Sequence, residues 1–190
     1  ARHLVKVYRD SYDLHAIQGW LFNHEGPRRG EEFVTRKITK NLARIVKEFE
    51  EGKIITPLQL GNVDAKRDWS DAEDFIDGIW KMLNQEKPKD YVLSSDETHT
   101  IREFVEEAFN FAGFHRRQCK WKGEGLDEKF FHGPDCFVEI NKDFYRPAEV
   151  DLLFGDSTKA REELKWEPKS NFLQLVKKMV DKDLASVMYP

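Results

Sequence analysis

The stretch Leu14-His15-Ala16-Ile17-Gln18-Gly19-Trp20-Leu21-Phe22, followed by Asn23-His24-Glu25-Gly26-Pro27-Arg28-Arg29-Gly30, decides the architecture. Its first part is a mostly apolar run of strand length, bounded by Asp13 and a polar loop. The run does not alternate cleanly, as expected of a parallel strand covered on both faces. Beyond the loop, Val34, Ile38, Leu42, Ile45, Val46 and Phe49 fall on one helical stripe. Strand, loop and helix in succession argue an α/β sheet. In open sheets of that class, ligands bind where loops leave the carboxyl ends of strands. The loop Asn23–Gly30 is such a place.

The flanking sequence agrees. Leu4, Val5 and Tyr8 recur at helical spacing up to Ser11-Tyr12-Asp13, so the chain is expected to open within a helix. Leu58–Leu60 and Tyr91–Leu93 read as short strands. Ser70-Asp71-Ala72-Glu73 and Thr100-Ile101-Arg102-Glu103 read as capping boxes opening helices, the second stopping at Gly113. Cys119–Trp121 and Phe137–Ile140 are expected strands around an irregular charged stretch. Glu48–Thr56 reads as a surface extension, and Ser157–Leu164 and Phe172–Leu184 as the last helices. There is no repeat and no linker.

A chain of 190 residues suffices for a well-packed domain, and 39% hydrophobic with 35% charged residues fits a globular protein. A net charge of -4 gives no global basic field, which argues against nucleic acid as a partner. No apolar run reaches the length of a membrane span, and the first residues are too charged for a signal peptide. Cys119 and Cys136 lack zinc spacing and are too few for a disulfide framework; they read as reduced thiols of a cytoplasmic protein. No Ser-His-Asp order, phosphate-cradling glycine loop or metal cluster stands out, so the metal set is expected to be empty.

The candidates for chemistry are cationic. Arg28 and Arg29 sit between Pro27 and Gly30, and guanidinium forks match phosphate oxygens bidentately. The helix N-terminus that follows also suits an anion, but Glu31 and Glu32 are expected in its first turn, so the arginines should dominate. Arg36, Lys37, Lys40, Arg44 and Lys47 form a basic face that is expected to be mostly solvated, with Lys37 nearest the loop. Arg67, in Lys66-Arg67-Asp68-Trp69, either meets a ligand or pairs with Asp68 or Asp71. Arg146 and Glu149 set a guanidinium and a carboxylate three residues apart, which suits a diphosphate and a ribose diol or, equally, a surface ion pair. His24 stands alone, and a lone histidine is more often a structural hydrogen-bonder than a catalyst.

Taken in order, these strings resemble GDP-mannose 4,6-dehydratases, of the extended short-chain dehydrogenase/reductase group of nucleotide-sugar enzymes. The resemblance rests on Leu21–Gly30 with Phe33–Ile38, on Leu60-Gly61-Asn62-Val63-Asp64-Ala65-Lys66-Arg67-Asp68-Trp69, and on Tyr145–Asp151. Gly155-Asp156-Ser157-Thr158-Lys159-Ala160, with Leu164, Trp166 and Pro168, is shared more broadly among nucleotide-sugar enzymes. Gly26 stands where that family commonly has Ser, and Ala148 where it commonly has Thr.

The resemblance implies an α/β fold: the last part of an NAD(P)-binding Rossmann-like domain plus a small nucleotide-sugar-binding domain. Residues 1–30 and 70–113 would belong to the first, 31–69 and 114–190 mostly to the second. It implies oxidation of GDP-mannose at C4, loss of water across C5 and C6 and reduction at C6, with NADP recycled, in GDP-fucose or other deoxyhexose synthesis. The family's catalytic residues fall in the front half of its members, so no catalytic residue is expected here and the piece alone is expected to be inactive. Carried over residue by residue, His24 and Arg29 match cofactor contacts. Asn23, Val34, Lys37, Arg67, Arg146 and Glu149 match contacts to GDP-mannose. A homo-oligomer, or association with an amino-terminal half, is expected. Two alternatives remain: a non-catalytic nucleotide-sugar-binding module, and a related GDP-sugar epimerase or reductase.

Overall fold

A computed structural model describes residues 2–145 and 150–188. In chain order these form α1 (Arg2–Tyr12), β1 (Gln18–Leu21), β2 (Asn23–Glu25), α2 (Val34–Glu50), β3 (Leu58–Leu60), β4 (Lys66–Arg67), β5 (Trp69–Asp71) and α3 (Ala72–Leu83). Then come β6 (Asp90–Leu93), β7 (His99–Thr100), α4 (Ile101–Phe111), β8 (Cys119–Lys122), β9 (Lys129–His132), β10 (Asp135–Ile140), β11 (Leu152–Leu153), α5 (Thr158–Leu164) and α6 (Phe172–Met188). They group into two compact units. Unit 1 holds residues 1–25, 67–98 and 153–172, and unit 2 holds 26–66, 99–152 and 173–190. Residues 99–113 thus group with unit 2 and 153–172 with unit 1.

In unit 1, β1 pairs with β6 in parallel, Gln18 opposite Asp90 through Leu21 opposite Leu93. β2 pairs in parallel with β5, setting Asn23 opposite Trp69 and His24 opposite Ser70. Phe75, Met82, Tyr91, Leu93, Ala160, Leu164 and Trp166 form the core, with Ile17 and Ile79 against it. The Gly155–Pro168 string serves this packing. A β-carbon on Gly155 would lie 2.3 Å from that of Ser94. The Trp166 indole N–H donates to the Asp74 carbonyl at 2.9 Å, and the Asp74 carboxylate accepts the Lys169 and Ser170 amides at 3.0 Å each.

Unit 2 carries a mixed sheet in the order β3-β10-β9-β8, with β3 parallel to β10 and the other two pairings antiparallel. Ile38, Leu42 and Ile45 of α2 and Phe104, Val105, Ala108 and Phe109 of α4 are fully buried. Phe109, Phe114, Phe137 and His132 interlock in edge-to-face, tilted or stacked pairs, with centroids 4.9–6.0 Å apart. Thr100 and Glu103 form the expected capping box of α4.

Five expectations shift. The first strand begins at Gln18, because Asp13 adopts a left-handed φ of 51° and the Ala16 amide turns back onto the Leu14 carbonyl at 2.7 Å. The α3 cap is Asp71, which accepts the Glu73 amide at 3.0 Å; Ser70 is held in β5 by its pairing with His24. The stretch between Trp121 and Phe137 is not irregular throughout, since β9 fills the gap between β8 and β10. The first turn of α2 holds no acidic residue, because Glu31 and Glu32 precede it. The basic face of α2 is largely paired. The Arg36 side chain, 11% exposed, meets the buried Asp183 at 2.9 Å, and Arg44 binds Glu48 at 2.8 Å and the Thr56 carbonyl at 2.9 Å. That last clasp folds the Glu48–Thr56 segment onto its own helix.

Candidate functional site

The carboxyl end of β1 leads directly into β2, so Asn23 and His24 are presented by a strand. His24 Nδ1 lies 2.9 Å from the Phe22 carbonyl, which can only accept; Nδ1 therefore carries the proton and Nε2 is an acceptor in the neutral ring. The ring stacks on Phe75 with centroids 5.3 Å apart, which fixes its plane. His24 thus combines the expected structural hydrogen bond with an oriented acceptor.

Unit 2 begins at Gly26 and immediately coils. The Arg29 amide donates to the Gly26 carbonyl at 3.0 Å, Phe33 to Gly30 at 3.2 Å, and Lys37 to Phe33 at 2.8 Å. This succession of turns sets Arg29, Phe33 and Lys37 four residues apart at the entrance to α2, with Val34 opening the helix. Arg29 Cζ lies over the Phe33 ring, 3.5 Å from its centroid. Lys37 Nζ lies equally close, 3.5 Å, over the ring of Phe144. Burial pushes the Lys37 ammonium below its ordinary pKa.

Lys37 and Phe144 open onto a cavity of about 360 Å³, lined also by Asn41, Arg44, Leu58 and Gln59. The position of Phe144 depends on Gly61, where a β-carbon would lie 2.2 Å from the Phe144 carbonyl oxygen. Only glycine lets the end of β3 approach the turn that carries Phe144.

Arg67 is half-buried in β4, next to Asp68. Asp68 is fully buried and accepts the Ser95 amide at 2.8 Å, the Ser95 hydroxyl at 2.7 Å and the Asp96 amide at 3.2 Å. Burial pushes its carboxyl above the usual range, against the pull of those hydrogen bonds. Asp96 turns in a left-handed φ of 63°. Burial also pushes Asp96 up, but hydrogen bonds from Ser94 and Ser157 and the charge of Arg161 outweigh it and leave it low. Asp68 and Asp96 thereby hold the loop after β6, while Asp71 caps α3.

Of the expected site residues, the structure brings Arg29, Val34 and Lys37 together in unit 2, and Asn23 and His24 together in unit 1. Arg146 and Glu149 lie outside the described residues. Sequence reading missed Phe33 and Phe144. The spacing of Phe33, four residues from each of two basic positions, was the available signal; nothing local marked Phe144. The described residues contain no group of three or more potential metal ligands. Chemically, unit 2 offers seated cations suited to phosphate groups, and unit 1 offers a histidine acceptor and an asparagine amide suited to hydroxyl groups.

A family model described as GDP-mannose 4,6 dehydratase matches residues 1–179. GDP-mannose 4,6 dehydratase 1 of Arabidopsis thaliana is 48% identical over 185 residues, covering 97% of this chain and 45% of that protein. The Drosophila melanogaster GDP-mannose 4,6 dehydratase is 47% identical over 183 residues, covering 95% and 44%. The chain thus spans about half the length of the curated relatives it matches. Among solved structures, RMD from Pseudomonas aeruginosa, complexed with NADPH, aligns with a TM-score of 0.74 at 16% identity, covering 97% of this chain and 53% of that one. The dTDP-glucose 4,6-dehydratase of Bacillus anthracis, in complex with NAD, gives 0.68 at 20% identity, covering 95% and 48%. At these identities the structural likeness shows the fold alone.

Proposed function

The chain belongs to the GDP-mannose 4,6 dehydratase family, and from that premise we propose that it is the substrate-binding, carboxy-terminal part of an enzyme converting GDP-mannose to GDP-4-keto-6-deoxymannose. The observation that carries this reading is the pair of ring-seated cations, Arg29 and Lys37, set at the entrance of α2 within the family's own strings. Two fixed cations suit two phosphorylated ligands bound side by side, one cation to each.

In this reading unit 1 is the remnant of the dinucleotide domain and unit 2 most of the nucleotide-sugar domain. His24 and Arg29 face NADP, and Asn23, Val34, Lys37, Arg67, Arg146 and Glu149 face GDP-mannose. The residues on hand fit a phosphorylated dinucleotide: His24 offers an acceptor of fixed tautomer to a hydroxyl or amide, and Arg29 a guanidinium seated over the Phe33 ring. When bound, NADP supplies the hydride acceptor and donor of an overall hydro-lyase reaction. This chain's residues bind and orient; the proton-moving groups of the family belong to its members' front half. The whole protein would act in the cytoplasm, as a homo-oligomer, within GDP-fucose or other deoxyhexose synthesis.

The test is a thermal-shift and calorimetric comparison of GDP-mannose with UDP- and dTDP-sugars on this chain. Stabilisation tracks ligand concentration over Kd, so the ranking decides. GDP-mannose should rank first, and equal or absent stabilisation by all three would refute the reading. Purified alone, the chain should turn over no GDP-mannose.

A further inference from the structure

Both cations at the entrance of α2 rest on aromatic faces. Arg29 lies 3.5 Å from the centroid of Phe33 and Lys37 3.5 Å from that of Phe144. Neither ring is a core residue: Phe33 is 41% exposed and Phe144 48% exposed. An exposed phenylalanine gains little from its own burial, so the contact to explain is the cation above it. Long basic side chains normally carry substantial rotamer entropy, which a ligand must freeze when it recruits them. A ring under the charge removes much of that freedom beforehand and leaves the N–H groups directed away from the ring face. The local backbone builds the first seat, because the turns closed by the Gly26 and Gly30 carbonyls put Arg29 four residues before Phe33. The second seat is non-local. Phe144 follows β10, and its turn is held against β3 through the close approach at Gly61.

We propose that Phe33 and Phe144 are positioning residues, each an aromatic seat that pre-orders one cation, Arg29 or Lys37, for the phosphate groups of a nucleotide. The proposal rests on the nucleotide reading given above. It goes further in assigning a role in affinity to two side chains that carry no charge and touch the ligand only through their partners. It also distinguishes Lys37 from Arg36 and Arg44 on the same helix, which are held by Asp183 and Glu48 and are thereby neutralised rather than poised.

The experiment uses the full chain with Phe33→Leu, Phe144→Leu, the double Leu variant, and Phe→Tyr at each position, and it has two readouts. The first is ligand-free: the side-chain proton shifts of Arg29 and Lys37 in NMR, which a ring beneath them moves upfield. The second is a calorimetric Kd at low salt, for NADP with the Phe33 variants and for GDP with the Phe144 variants. Each Leu variant should abolish its upfield shift and weaken its own nucleotide about two- to fivefold, and the double variant should weaken both, while Tyr restores them. The thermal midpoint of the ligand-free chain should barely move, because both rings are exposed. Unchanged proton shifts in the Leu variants overturn the proposal without reference to any ligand. So does a double variant that binds either nucleotide within about 1.5-fold of the unsubstituted chain, or a Tyr variant that loses as much as Leu. If the unsubstituted chain shows the ring shifts but does not bind a seat's nucleotide, that seat stands as observed and its assigned role falls together with the nucleotide reading.

Discussion

The α-carbon of Gly61 faces the backbone carbonyl of Phe144 so closely that a β-carbon would stand 2.2 Å from its oxygen. Backbone cannot swing aside as a long side chain can. Gly61→Ala should therefore displace the turn that carries Phe144, destabilise the chain by about 1–3 kcal/mol and weaken GDP. Urea denaturation and calorimetry measure the two effects. Gly52→Ala is the control, as a left-handed glycine with nothing within 4 Å, which should cost stability through backbone strain alone and leave affinity intact.

Arg36 and Asp183 form a nearly solvent-free ion pair, and Thr39 donates to the second Asp183 oxygen at 2.7 Å. Removing one charge leaves the other buried. Asp183→Ala should cost about 3–5 kcal/mol, whereas the double replacement Arg36→Met, Asp183→Leu should come close to the unsubstituted stability. Chemical denaturation of the three chains decides this, and similar losses in single and double variants would show that the pair is net stabilising.

Tyr91 is buried in the unit 1 core and its phenol donates to Glu163 at 2.9 Å. Burial first, and the Glu163 carboxylate second, push its pKa up to about 12. The folded state therefore holds the proton more tightly than the unfolded chain, where a tyrosine titrates near pH 10. That contribution is complete below about pH 10 and is lost as pH rises through about 12. Tyr91→Phe should flatten the fall in urea midpoint between pH 9.5 and 11.5, an interval chosen to span about that range. An unchanged slope would assign the alkaline loss to other groups.

Unit 1 leaves large apolar side chains in solvent. Trp20 is 47% exposed on β1, and Ile76, Trp80 and Leu83 are 66%, 66% and 50% exposed along α3. β1 has β6 as its one neighbour among the described residues, which leaves an edge open to pairing. The isolated chain should self-associate with rising concentration, and Trp80→Lys should reduce it. Sedimentation velocity across a concentration series is the measurement, with a concentration-independent monomer as the contrary result.

Much of the fold was legible from local pattern. The stripe from Val34 to Phe49, the Thr100–Glu103 capping box and the strands at Leu58, Tyr91 and Phe137 are where their residues predict. The misses share a cause. Ser70 looked like a cap and became a strand residue because β2 lies beside it. Residues 129–132 looked irregular and became β9 because β8 and β10 offered partners on both sides. Arg36 looked solvated and is buried because α6 brings Asp183 to it across 147 positions, the separation between the two residue numbers.

The sequence by itself determined the α/β class and the helical entrance at Val34, which follow from periodicity and short spacings that local backbone geometry enforces. Asn23, His24, Arg29, Lys37 and Arg67 were assigned site roles only through the resemblance of their strings to the family. Tertiary structure alone decided which cations are neutralised and which are poised. A basic residue reads the same in sequence whether it meets a carboxylate or a ring. Only packing distant segments together set Asp183 against Arg36 and Phe144 beneath Lys37, and so separated one structural charge from one available to a ligand.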